Sequence, residues 1–199
     1  MPSRQTTPSL ATEHAAHGAA LVILDMISRW DFPDADKLLP QAVAIVPRVA
    51  AFKRRCRKAG IPTIYANDNH GRWRSDFRKV VESAREQGGG AERIADGLAP
   101  QDDDYFVLKP KHSAFFSTPL DLLLQHLKVR RLLITGVAGD QCVLATAADA
   151  RMRDYEVLVP RDCIASQSAA RNRRAVQHFD QVLEVPTTAS ARVRFSALH

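Results

Sequence analysis

Cysteine is scarce in this chain of 199 residues, which holds only Cys56, Cys142 and Cys163. The number is odd, the spacing is wide and no C-x-x-C pair occurs. That excludes a disulfide framework or a zinc cluster and fits reduced thiols in a cytoplasmic protein. Long apolar runs are missing as well: nothing approaches the roughly 20 residues of a membrane-spanning helix. The first 18 residues lack the continuous apolar core of a secretory signal, so no membrane partner is expected. The surplus of positive charge is small, with 28 Lys and Arg against 22 Asp and Glu for a net +6. It is scattered over 53–58, 72–79, 128–131 and 171–174. Nucleic-acid binding wants basic groups on one face together with a binding motif or stacking aromatics. Neither is visible, so the charge reads as solvated surface and no nucleic-acid partner is expected. There is no internal repeat.

What is present is the makings of one core. Hydrophobic residues make up 45% and charged residues 25%, a globular composition long enough for one full domain. Residues 1–18, rich in Ser, Thr, Ala and His and without a period, read as a flexible N-terminal arm, and 19–199 as the domain. Short apolar runs recur at 19–24, 61–66, 105–108, 131–136, 156–160 and 182–185, which predicts six strands. Runs that are apolar on both faces belong to a parallel sheet covered on each side by helices. Leu38, Ala42, Ile45, Val49, Phe52 and Cys56 draw one stripe along a helix, with a kink or fresh start expected at Pro47 and a stop at Gly60. Thr118 as N-cap and Pro119 at the first helical position open another over 118–127. Residues 139–153 and 168–179 supply two more, while 74–98, with Gly88, Gly89 and Gly90, reads as an irregular excursion near the site. Strands alternating with helices imply right-handed crossovers and a three-layer α/β/α sandwich on a six-stranded parallel sheet.

In such sheets ligands bind beyond the carboxyl ends of the strands. The first run ends at Asp25, the third at Lys109, and the fourth leads through Gly136 to Cys142. A carboxylate, an amine and a thiol are therefore expected on one edge. Cys142 falls at a predicted helix start, where free N–H groups favour thiolate over thiol, and a nearby ammonium would lower its pKa further. Ala145, Ala147, Ala148 and Ala150 let that helix lie close to the sheet. The alternative is that Cys142 is simply a small buried hydrophobe.

These residues resemble the isochorismatase-like cysteine hydrolases, a family that includes nicotinamidases and N-carbamoylsarcosine amidases. Three motifs over about residues 19–186 carry the resemblance. They are the apolar strand into Asp25 followed by Asp31-Phe32; Lys109-Pro110-Lys111-His112-Ser113-Ala114-Phe115 with Thr118 and Leu120; and 134–143, ending in Asp140-Gln141-Cys142-Val143, with Thr146, Ala147, Asp149 and Ala150 beyond. The resemblance implies a triad in which Asp25 takes the thiol proton of Cys142 and later delivers it to the leaving group, while Lys109 supports the thiolate. It also implies an oxyanion hole from the N–H groups of Ala138 and Cys142, a cis peptide from Val137 to Ala138, and homo-oligomers. Lys109 rather than Lys111 matches the lysine of the family pattern.

Two positions depart from that pattern. Ile27 stands where glutamine is common, and Gly139 where threonine is common. Asp68-Asn69-His70 has the spacing of the nicotinamidase metal pair, but no histidine lies between Arg72 and Ala99 to complete it. Catalysis without metal or other cofactor is therefore expected. Trp30, Trp73 and Phe115 are candidate aromatic walls of the substrate pocket, with core packing the alternative for Phe115. The function expected is hydrolysis of a small amide or related C–N bond through a thioester on Cys142. Vinyl-ether hydrolysis of the isochorismatase type, or a non-catalytic docking module on the same fold, are the alternatives.

Overall fold

The structure is a computed structural model and describes residues 18–69 and 76–195. Residues 1–17 of the expected arm lie outside that range. Among the described residues six strands form one parallel sheet: β1 (Ala19–Leu24), β2 (Thr63–Asp68), β3 (Tyr105–Lys109), β4 (Arg131–Val137), β5 (Glu156–Leu158) and β6 (Ile164–Ala165). Their order is β3-β2-β1-β4-β5, and β6 pairs with the far end of β4. In β1, Ala19, Leu21 and Ile23 enter one apolar layer and Ala20, Val22 and Leu24 the other. Burial on both faces is why the strand is apolar at every position. The first layer is roofed by α1 (Ala35–Lys58), α2 (Phe77–Glu86) and α3 (Gly89–Gly97). The second is roofed by α4 (Leu120–His126), α5 (Leu144–Met152) and α6 (Ala169–Gln181). The result is the expected three-layer sandwich.

Four local expectations need correction. Helix α1 runs through Pro40 and Pro47 as one element. A proline inside a helix costs about 3 kcal/mol, but Ala42, Ile45, Val49 and Phe52 on both sides of Pro47 are buried on one face. Each large apolar side chain there contributes about 1.5–3 kcal/mol. The stretch 74–98 contains two helices where it is described. Asp76 caps α2, its carboxylate accepting the Lys79 N–H at 3.0 Å, and Phe77, Val81 and Ala84 are buried. Gly88 and Gly89, at φ 72° and 60°, make the turn into α3 rather than a loose loop. Residues 182–185 are not a strand: the N–H groups of Val182 and Leu183 bond back to the His178 carbonyl and that of Val185 to Phe179. The sixth strand is instead the short Ile164–Ala165, beside Gly136 and Val137. Finally, α4 starts two residues after Thr118, whose Oγ accepts the Leu120 N–H at 3.2 Å.

Parallel register sets the strand ends level with one another. Leu24 stands opposite both Ala66 and Gly136, and Asp68 opposite Lys109. At Gly136, φ is +111° and a Cβ would lie 2.1 Å from the Leu24 carbonyl oxygen. Only glycine lets β4 pass the end of β1 this closely.

Candidate active site

Asp25 follows Leu24 directly, and its N–H donates to the Ala66 carbonyl at 3.0 Å. Its side chain is fixed from two sides. Oδ1 accepts the Asp68 N–H at 2.7 Å, and Oδ2 lies 2.8 Å from Lys109 Nζ. Lys109 ends β3 and is fully buried. Its Nζ donates to the Lys111 carbonyl at 3.2 Å and to Cys142 Sγ at 3.5 Å, and lies 3.7 Å from Asp68 Oδ2. Burial alone would lower the Lys109 pKa. The charges of Asp25, Cys142 and Asp68 outweigh burial and hold it above the ordinary lysine value, so the ammonium stays charged.

Cys142 lies in a π-turn, Gly139–Val143, that precedes α5. Both Gln141 N–H and Val143 N–H reach back to the Ala138 carbonyl, at 3.0 and 3.2 Å, which widens the first turn beneath the thiol. The Val137–Ala138 peptide is cis. The expectation of a depressed thiol pKa is overturned. Burial pushes the Cys142 thiol up, the Asp25 carboxylate beside it pushes in the same direction, and Lys109 opposes both without cancelling them. Asp25 and Lys109 therefore act on the thiol in opposite directions, the first raising and the second lowering its pKa.

A cavity of about 300 Å³ opens over these groups, lined by Asp25, Asp68, Ala138 and Cys142 at the strand ends. Further lining comes from Phe32, Asn67, His112, Gln167 and Arg171, none of which was placed in the pocket from sequence. Two of the aromatic walls expected from sequence, Trp30 and Phe115, lie elsewhere. Trp30 is a core residue packed beneath Phe32, ring centroids 5.7 Å apart, and Phe32 is the ring that reaches the cavity. Phe115 belongs to the opposite apolar layer, stacked on Tyr155 at 5.9 Å. Trp73 lies outside the described residues.

His112 approaches the nucleophile most closely of the unexpected residues, with Nδ1 3.5 Å from Cys142 Sγ. The available signal was its position three residues after Lys109 in the same motif. Asn67 is buried; its Nδ2 donates to the Ile27 carbonyl at 2.6 Å, and its Oδ1 has no partner. Gln167 Oε1 is likewise buried and unpartnered. Arg171 is turned towards Asp140, Nε to Oδ2 at 2.6 Å.

A family model described as the Isochorismatase domain matches residues 19–191. The chain belongs to the isochorismatase family. It is 40% identical over 174 residues, 87% of this chain and 95% of the other, to the uncharacterized isochorismatase family protein YaaI of Bacillus subtilis (strain 168). It is 25% identical over 160 residues to an N-carbamoylsarcosine amidase from Arthrobacter, covering 74% of this chain and 60% of that protein. A cysteine hydrolase structure from Pseudomonas syringae pv. phaseolicola 1448A superposes with a TM-score of 0.72 over 98% of this chain and 100% of that one. At 21% identity that likeness is one of fold. The chain is thus an isochorismatase-family hydrolase.

Within that family the two departures have local causes here. Ile27 is fully buried, and its carbonyl is the anchor for Asn67. At Gly139 a Cβ would stand 2.9 Å from Asn172 Oδ1 and 3.1 Å from Ser166 Oγ, so α6 and the end of β6 take the room a larger residue would need. As for the metal pair, Asp68 faces the Lys109 ammonium at 3.7 Å and His70 lies outside the described residues. Among the described residues no three His, Cys, Asp or Glu side chains cluster as a metal site.

Proposed function

We propose that the protein hydrolyses a small amide or related C–N bond through a thioester on Cys142. The observation that carries this reading is the convergence of Cys142, Lys109 and Asp25 at one end of a cavity of about 300 Å³. Cys142 Sγ attacks the carbonyl carbon as its proton passes to the Asp25 carboxylate. Lys109 offsets the negative charge that grows on sulfur and keeps Asp25 in place. The N–H groups of Ala138 and Cys142 receive the oxyanion, a contribution worth about 10²–10³ in rate per donor. Asp25 then returns its proton to the leaving nitrogen as the C–N bond breaks, and water hydrolyses the thioester.

The chemistry of the walls supports an amide over a vinyl ether. Asn67 Oδ1 and Gln167 Oε1 are acceptors without donors, and leaving such groups buried and unpaired costs about 1–3 kcal/mol each. The N–H groups of an amide would satisfy them. The test is intact-protein mass spectrometry after brief exposure to a panel of small amides and to isochorismate, alongside turnover by Cys142→Ser. An acyl adduct on Cys142 and loss of turnover in the variant are expected. Isochorismate turnover that survives Cys142→Ser would favour the vinyl-ether reaction, and no turnover at all a docking role.

A further inference from the structure

The nucleophile has two flanks of different character. Asp25 and Lys109 form the buried one, and both Asp25 oxygens are engaged, one by the Asp68 N–H and one by the Lys109 ammonium. On the other side stands His112, an exposed residue whose Nδ1 lies 3.5 Å from Sγ while its ring lines the cavity. Imidazole is the side chain that both takes up and releases protons between pH 5 and 8. Water that cleaves a thioester must enter from the open side, and a base acts within hydrogen-bond reach or through one water.

We infer that His112 is a further catalytic residue of this hydrolase, acting in the hydrolytic half of the cycle. The inference rests on the thioester reading above. Once the amine has left, the acyl group is bonded to Sγ. His112 then takes a proton from the incoming water as the water oxygen bonds to the carbonyl carbon. When the C–S bond breaks, the imidazolium gives that proton to the departing sulfur over the 3.5 Å separation. Thioester plus water thus become carboxylic acid plus thiol, with His112 neutral again. Asp25 serves acylation and His112 deacylation, so each base works on the side from which its proton comes.

Asp25, Asp34, Asp68, Cys142 and Arg171 line the same cavity as His112, and Lys109 Nζ lies 3.5 Å from the sulfur.

The test uses p-nitrophenyl acetate, an activated ester that acetylates a reactive thiol whatever the natural substrate. Wild type and His112→Gln should each release about one p-nitrophenolate per chain in a fast phase of similar rate. Later turnover should fall about 10²-fold in the variant, with acetyl-Cys142 persisting by mass spectrometry. Added imidazole should restore turnover in His112→Ala. A fast phase slowed as much as turnover, or a variant thioester that hydrolyses at the wild-type rate, would overturn the role. A missing fast phase in wild type, or an equal one in Cys142→Ala, would overturn the thioester reading and this inference with it.

Discussion

Lys109 Nζ lies 2.8 Å from Asp25 Oδ2 with the lysine fully enclosed by protein. Lys109 ends β3 and Asp25 follows β1, so one ion pair links two strands across β2 and two of the three site motifs. A buried pair is weak evidence for stability but costly to break from one side, by about 3–5 kcal/mol, because the surviving charge is stranded.

Lys109→Met should therefore destabilise the protein by about 3 kcal/mol and remove most turnover, since Asp25 and Asp68 lose their common cation. Asp25→Asn should cost less stability, because Asp68 remains 3.7 Å from the ammonium. Urea unfolding of both variants beside wild type checks the order, and equal losses would argue against it.

Groups that act as a unit lose their effect together. The double variant Asp25→Asn, Cys142→Ala should turn over hardly more slowly than Cys142→Ala, although each single change costs about 10²–10⁴ in rate. Steady-state kinetics on any amide that the wild type hydrolyses decides this. Penalties that multiply would mean that the two residues work apart.

The raised thiol of Cys142 has a signed consequence. Thiolate forms at higher pH than in a free cysteine, so alkylation by iodoacetamide should be slow at neutral pH and climb beyond about pH 8.5. Asp25 raises this thiol and Lys109 lowers it. Asp25→Asn should therefore alkylate faster than wild type while turning over far less, and Lys109→Met should alkylate more slowly. Cys56 and Cys163, fully buried and pushed up to about 12, should lag Cys142, which borders the cavity. Peptide mapping of the label measures all three rates.

Asn67 supplies a test of selectivity. Its Nδ2 is held by the Ile27 carbonyl and its Oδ1 is left to accept. Asn67→Leu should lower kcat/KM on a primary amide about tenfold, as expected for one hydrogen bond of about 1.4 kcal/mol. The corresponding methyl ester, without an N–H, should be little affected. An equal fall on both substrates would place Asn67 in packing rather than recognition.

Metal removal should leave turnover unchanged. The Lys109 ammonium already stands against both Asp25 and Asp68, where a divalent ion would meet a fixed positive charge. Dialysis against a chelator followed by assay, with elemental analysis of the sample, tests this. Activity lost on dialysis and regained with zinc would contradict it.

Much of this architecture is local in origin and was therefore legible in the chain. Ala19–Leu24 and Arg131–Val137 are apolar at nearly every position because two layers cover them, and an α/β alternation then allows few topologies. Strand ends in such a sheet lie on one edge, which is why Asp25, Lys109 and the approach to Cys142 were recognisable as neighbours before any distance was known. Elements whose signal is weak or two-sided were not legible. Ile164–Ala165 is a two-residue strand held only by its pairing with Gly136 and Val137, and the glycines at 88–90 mask a tight turn between two helices.

Periodicity and strand-end position are properties of short segments, so the order of residues already fixes the sheet, its helical cover and which strand ends meet at the site. Tertiary structure alone decided how the site behaves. The Cys142 thiol is raised because burial and the Asp25 carboxylate outweigh Lys109, a balance of distances between segments far apart in the chain. Phe32 rather than Trp30 reaches the cavity because the backbone between β1 and α1 turns through positive φ at Asp25, Trp30 and Asp34. The approach of His112 to the sulfur likewise depends on two loops folding towards each other. Such long-range geometry is set by packing, and no window of sequence contains it.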